Sequence, residues 1–215
     1  MTRLHQGALL IGGIAMALFW AAGRGPHGVA TGAPAAERAR VPASRGGRDM
    51  LGKPLPLDGL RWLNTPDAKP PALQGKVTLV RWWTETCPFC RRSLPAIETL
   101  RKDFGKRGFQ AIAVYHPKPP RPVAGTDILR AAKAFGYRGS VAADLEWKTL
   151  QRAYLSTGRR TATSVSFLLD RRGIVRFVHP GPEFRPTSNP REKRLNQDYQ
   201  DIRTAIEALL REPGK

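Results

Sequence analysis

Apolar, β-branched and aromatic runs alternate with stretches of helical period along most of this chain. Val77-Thr-Leu-Val-Arg-Trp-Trp83 reads as a strand covered on both faces, with Trp82 and Trp83 pointing to opposite sides into core. Leu94 to Phe104 spaces its apolar residues at helical intervals, and Phe109-Gln-Ala-Ile-Ala-Val-Tyr115 is a second buried strand. Thr126 and Gly136 bracket a helix over Asp127–Phe135 as cap and stop. Ser140–Ala143 is a short strand, and Asp144 caps a helix from Leu145 to Leu155. Val165–Asp170 is a further strand, turned by Asp170-Arg-Arg-Gly173 into Ile174–Val178, and Gln197–Arg211 closes the chain as a helix. Ahead of these, Lys53 to Asn64 reads as a short leading hairpin. The order predicts an α/β protein with a mixed central sheet and helices on both faces.

The N-terminus departs from this pattern. Arg3 and His5 precede an uncharged apolar stretch from Gly7 to Gly23, which Arg24 ends. Residues 1–24 therefore read as a signal peptide or an N-terminal membrane anchor, and the protein as exported to a periplasmic or other extracytoplasmic space. Residues 25–50, rich in Ala, Gly, Pro and Arg, read as a flexible linker, and 51–212 as the folded domain. The chain has 36 Lys and Arg against 17 Asp and Glu, a formal charge of +19. Such a field favours anionic surfaces, lipid headgroups among them, although an arginine-rich composition of the source accounts for it equally. Aromatic-basic interleaving and nucleic-acid motifs are missing from the sequence, so no nucleic-acid partner is expected.

The candidate chemistry is concentrated in Thr84-Glu85-Thr86-Cys87-Pro88-Phe89-Cys90, which holds the only two cysteines of the chain. Strand, tight turn and helix place Cys87 where unpaired N–H groups and the helix dipole favour a thiolate. Pro88 suits the first helical turn, and Arg91 and Arg92 add positive charge. Cys90, nearly one turn on, is placed to resolve a mixed disulfide formed on Cys87. Structural zinc normally requires four ligands; a second cysteine pair does not exist, and of His5, His27, His116 and His179 only the last two fall in the folded region. A disulfide closing so short a loop would add little stability. The expectation is a dithiol redox site whose only redox group is the Cys87–Cys90 disulfide, with no other cofactor.

These features together resemble the thioredoxin fold and, within it, the exported TlpA/ResA-like thiol–disulfide oxidoreductases. The carriers are Gly75-Lys76-Val77, Trp83, Cys87-Pro88-Phe89-Cys90, the extra strand-helix segment at about Ser140–Leu155, and Phe167-Leu168-Leu169-Asp170-Arg171-Arg172-Gly173-Ile174-Val175. The resemblance implies a thioredoxin-like sheet carrying a strand-helix insertion, and exchange with protein thiols and disulfides of the cell envelope. It also implies a soluble or membrane thiol protein as electron donor. Three positions depart from the family. Thr86 stands where tryptophan precedes the first cysteine, Arg81 stands where thioredoxins bury an acid, and Ser164 occupies the place of the cis-proline that packs against the pair. Supporting positions are Thr84, Glu85, Pro88 and Ser164, with Glu85 read as a surface carboxylate in preference to a proton relay. His116 and His179 read as loop anchors. Two alternatives stand beside this one. A peroxiredoxin-like peroxidase would use Cys87 as the peroxidatic thiol with Thr84 three residues before it, and a binding protein would carry Cu(I) on the two thiolates.

Overall fold

The computed structural model describes residues 40–157 and 160–213. The expected signal or anchor segment and most of the expected linker lie outside the described residues. Among the described residues six strands form one sheet: β1 (Arg61–Trp62), β2 (Val77–Trp83), β3 (Phe109–Tyr115), β4 (Ser140–Ala143), β5 (Ser166–Leu169) and β6 (Val175–His179). Their order is β1-β4-β3-β2-β5-β6. The β2–β3 and β3–β4 pairs are parallel, whereas β1–β4, β2–β5 and β5–β6 are antiparallel, so the sheet is mixed as expected. Among the described residues four α-helices accompany it: α1 (Pro88–Phe104), α2 (Gly125–Ala134), α3 (Lys148–Ala153) and α4 (Lys193–Arg211).

Every residue of β2 is buried, because both faces of the sheet are covered. Val77, Leu79 and Trp83 share one apolar cluster with Leu94, Ile97 and Leu100 of α1, Ile128 of α2, and Ile202 and Ile206 of α4. Val80 and Trp82 point the other way, into a cluster with Leu150 and Ala153 of α3 and with Leu55, Leu60 and Trp62 of the leading segment. The two tryptophans are thus core residues on opposite faces. Trp82 meets Phe167 edge-on at 5.7 Å and Trp83 meets Tyr115 at 5.3 Å.

The leading segment corrects the expected hairpin. Residues 53–64 do not pair with one another. Gly52 N–H donates to Val175 O (2.9 Å) and Val175 N–H to Lys53 O (2.9 Å), along the outer edge of β6. The segment then buries Leu55 and Leu60 and pairs Arg61 and Trp62 with Ala143 and Ala142 at the opposite edge. Both sheet edges are thereby covered by one stretch of chain, which a self-paired hairpin would leave open. Packing also begins ahead of Leu51: Ser44 Oγ accepts the Val178 N–H at 2.8 Å, and Met50 is buried.

Smaller corrections concern helix starts. α2 opens at Gly125 with Ala124 at its cap, so Thr126 lies inside the helix and caps nothing. α3 begins at Lys148, not Leu145, yet Asp144 does serve its N-terminus: its carboxylate accepts the N–H groups of Thr149 (3.2 Å) and Leu150 (2.7 Å). α4 starts at Lys193, one turn earlier than expected. The β5–β6 turn is as expected, with Asp170 Oδ1 accepting from Arg172 and Ile174 N–H and Gly173 at a positive φ of 79°.

Candidate active site

β2 ends at Trp83, and a turn through Thr84–Thr86 delivers Cys87 to the N-cap of α1. There its φ of −90° and ψ of 110° leave the backbone extended, and its Sγ accepts the N–H of Cys90 at 3.2 Å. Pro88 occupies the first helical turn, where a missing N–H costs nothing. Cys87 is half-buried and Cys90 fully so, and both are free thiols. The strand-turn-helix reading of the sequence therefore places the pair correctly: one sulfur reaches the surface and the other lies a turn behind it.

Ser164, from the segment before β5, lies against both sulfurs. Its Oγ is 3.1 Å from Cys90 Sγ and 3.8 Å from Cys87 Sγ. Trp82 N–H donates to Val165 O at 3.0 Å and fixes this segment beside β2. A proline here would offer the sulfurs only carbon, whereas serine offers a hydroxyl. A groove of about 300 Å³ opens over Cys87, lined by Thr86, Phe89, Lys118, Thr163 and Pro182. The Phe89 ring, 42% exposed, forms part of its wall, with the Arg92 guanidinium 5.3 Å above it.

The Thr84 and Glu85 side chains bond to each other and not to the sulfurs. Thr84 Oγ1 donates to Glu85 Oε2 (2.8 Å), and Arg121 Nη2 donates to Glu85 Oε1 (2.5 Å). Partial burial would raise the Glu85 pKa, but the neighbouring Tyr115 and Thr84 hydroxyls and the Arg121 charge outweigh it and hold the carboxyl below its usual range. Among the described residues no hydrogen bond joins Glu85 to either cysteine, and Glu85 is a paired anion at the edge of the site. His116 is buried, donates through Nδ1 to Trp83 O (2.9 Å), and is kept neutral by burial, with its pKa pushed down to about 3. His179 meets Asp198 Oδ2 at 3.2 Å and is likewise shifted down by burial. The His116 ring ties the chain after β3 to the end of β2, and the His179 ring ties β6 to α4.

Arg81, noted in the sequence only as a departure from the family at the buried-acid position, is part of the site. It lies on the α1 face of β2, fully buried, with its guanidinium 5.4 Å from the Phe184 ring. Nη1 donates to Ser166 Oγ (3.1 Å) and Gly181 O (3.3 Å), and Nη2 to Pro182 O (2.5 Å). The signal was available in the strand alternation, since position 81 falls on the same face as Leu79 and Trp83. Burial lowers the Arg81 pKa, and the charge of the cysteine pair opposes that loss. The pair in turn holds one proton tightly and gives up the other early. The Cys87 thiol, the Arg81 charge and Ser164 together depress Cys90 to about 5 despite its burial. Contrary to the thiolate expected on Cys87 from its place at the helix start, Cys87 is shifted upward by its hydrogen bond with Cys90 and by desolvation, because a second negative charge beside the first is unfavourable. The arrangement holds one thiolate across two sulfurs, of which only Cys87 reaches the groove.

A family model described as Redoxin matches residues 64–196. Protein DipZ of Mycobacterium tuberculosis and Protein DipZ of Mycobacterium bovis are each 27% identical over 123 residues, which is 56% of this chain and 17% of the relative. The chain thus spans less than a fifth of the length of these curated relatives. Among solved structures, a thiol-disulfide isomerase from Corynebacterium glutamicum superposes with a TM-score of 0.55 at 21% identity, covering 75% of this chain and 98% of that one. A thioredoxin family thiol:disulfide interchange protein from Chlorobium tepidum gives 0.51 at 22% identity, covering 73% and 95%. The shared architecture is the thioredoxin fold.

Proposed function

The chain belongs to the Redoxin family, and from that premise we propose that it is a thiol–disulfide oxidoreductase acting on protein thiols and disulfides outside the cytoplasm. The observation that carries this reading is Cys87 Sγ at the α1 N-cap, open to the groove, with Cys90 one turn behind it. In the reducing direction the proton held by the pair moves from Cys87 to Cys90, and the Cys87 thiolate so formed attacks a substrate disulfide, forming a mixed disulfide and releasing one substrate thiolate, which takes up that proton as Cys90 ionises again. Cys90 then attacks Cys87 Sγ, the mixed disulfide breaks, and the second substrate thiolate leaves as the Cys87–Cys90 disulfide forms. The same steps run backwards transfer the disulfide to a substrate dithiol. A partner thiol protein restores the starting state, and the disulfide is the sole redox group. Cys87 is the attacking thiol, Cys90 the resolving one, and Pro88 and Ser164 hold them in place. Export rests on the apolar stretch from Gly7 to Gly23; among the described residues no helix is long and apolar enough to cross a membrane.

The peroxidase reading has less support, because the Thr84 hydroxyl is committed to Glu85 and not to the Cys87 sulfur. The test is exchange with insulin and with a glutathionylated peptide by the full chain, Cys87→Ser and Cys90→Ser. The expected result is turnover by the native protein, none by C87S, and a trapped mixed disulfide with C90S. Rapid peroxide consumption without exchange, or stoichiometric Cu(I) binding without turnover, would overturn the proposal.

A further inference from the structure

The cation at the centre of the site lacks a dedicated anion. The oxygen acceptors of the Arg81 guanidinium are all neutral, the Ser166 hydroxyl and the Gly181 and Pro182 carbonyls. Its Nε has no partner among the described residues. The nearby carboxylate, Glu183, is already engaged twice, by a two-pronged bond from Arg92 (2.8 and 2.6 Å) and by Arg185 Nε (2.8 Å). Burial shifts His116 and His179, whose positive charge would compete with that of Arg81, toward their neutral forms. The negative charges that act on Arg81 are those of the cysteine pair, Cys90 foremost, and after them that of the already engaged Glu183. Burying an uncompensated guanidinium is expensive, and this one is fully enclosed.

Taking the thiol-exchange reading as given, we propose that Arg81 is a positioning residue that serves as counter-charge to the Cys90 thiolate, and that it biases the pair toward accepting electrons from substrate dithiols. Ser164 completes the cradle at 3.1 Å from Cys90 Sγ. In the dithiol state the thiolate balances Arg81; in the disulfide state that anion is gone and the guanidinium is left buried without it. The dithiol state is therefore the favoured one. The step balances as follows. A substrate thiolate attacks Cys87 Sγ of the disulfide, the Cys87–Cys90 bond breaks, and its electron pair leaves on Cys90 opposite Arg81. A leaving thiol with a low pKa departs faster. The second substrate thiol loses its proton and attacks the mixed disulfide, forming the substrate disulfide and expelling Cys87, which takes up one proton. Two electrons pass to the protein; the other substrate proton goes to solvent because Cys90 stays ionised. A disulfide-bearing partner protein reoxidises the pair for the next turnover.

The test compares the full chain with Arg81→Gln and Arg81→Lys, equilibrated in defined glutathione mixtures and read by thiol labelling. Arg81→Gln is expected to move the equilibrium toward the disulfide by about tenfold, roughly 30 mV for a two-electron couple. Arg81→Lys, which keeps the charge, is expected to stay near the native value. Thiolate ultraviolet absorbance followed against pH is expected to shift upward in R81Q alone. A folded R81Q with native equilibrium and native absorbance would overturn the inference while leaving thiol exchange intact. Failure of the native protein to exchange with glutathione at all would overturn both. If R81Q does not fold, urea unfolding of the native dithiol and disulfide forms decides: the inference requires the dithiol form to be the more stable, and the reverse order overturns it.

Discussion

Replacing Ser164 by alanine removes one oxygen from between the two sulfurs and leaves the rest of the site in place. The Ser164 hydroxyl lies 3.1 Å from Cys90 Sγ, inside the range for a donor to a thiolate, and 3.8 Å from Cys87 Sγ. A hydrogen bond to a charged group contributes about 1.5–3 kcal/mol. At about 1.4 kcal/mol per pKa unit, its loss amounts to one to two units. Because Arg81 continues to support the same charge, the lower end is expected: the Cys90 thiolate, depressed to about 5 in the native protein, should titrate roughly one unit higher in Ser164→Ala. The same energy weakens the dithiol form against the disulfide, which moves the two-electron couple about 30 mV toward more negative potential. Thiolate absorbance against pH and thiol labelling in glutathione mixtures read the two effects separately. If the hydroxyl accepts from a Cys90 thiol instead of donating to a thiolate, the titration midpoint stays put or falls. That result would refute the reasoning, because it would remove Ser164 from the set of groups that ionise the pair.

Three further outcomes are expected. The folded thiolate pKa is depressed below its ordinary value, so its stabilisation of the dithiol form is fully present above about pH 9 and is lost as pH falls through about 5; the urea midpoint of the dithiol form should fall relative to that of the disulfide form over this range, and parallel curves would contradict it. Phe89→Ala removes a 42% exposed ring from the groove wall, so stability should change by less than about 0.5 kcal/mol; exchange with a peptide disulfide should slow several-fold while exchange with glutathione does not, and equal rates on both would show that the ring does not meet substrate. Asp144→Ala strips the buried acceptor from the Thr149 and Leu150 N–H groups and is expected to cost about 2 kcal/mol in urea unfolding; a loss below about 0.5 kcal/mol would mean that α3 does not depend on this cap.

What the sequence determined by itself is everything carried by short-range order. The buried character of Val77–Trp83, the opposite faces of Trp82 and Trp83, the Asp170–Gly173 turn and the C-x-x-C at a helix start follow from alternation, turn chemistry and spacing within a few residues. These suffice to read the mixed α/β sheet and the thiol pair. Helix starts were less legible, since Thr126 has the chemistry of a cap but lies within the first turn of a helix that begins at Gly125.

The tertiary structure alone decided the rest, because it depends on groups far apart in the chain. Residues 53–64 have the composition of a hairpin, yet two unpaired sheet edges and an uncovered apolar face drew them apart to β6 and β4. Ser164 is separated from Cys90 by 74 positions and is brought to it by the pairing of β5 with β2, which the Trp82 N–H to Val165 O bond continues. Arg81 is six residues from Cys87 in sequence, and its identity was plain from the start. That its hydrogen bonds end on Ser166, Gly181 and Pro182, while Glu183 is held by Arg92 and Arg185, depends on pairings across about a hundred residues. Charge in a sequence is local, but whether a buried charge has a counter-ion is a property of the packed chain.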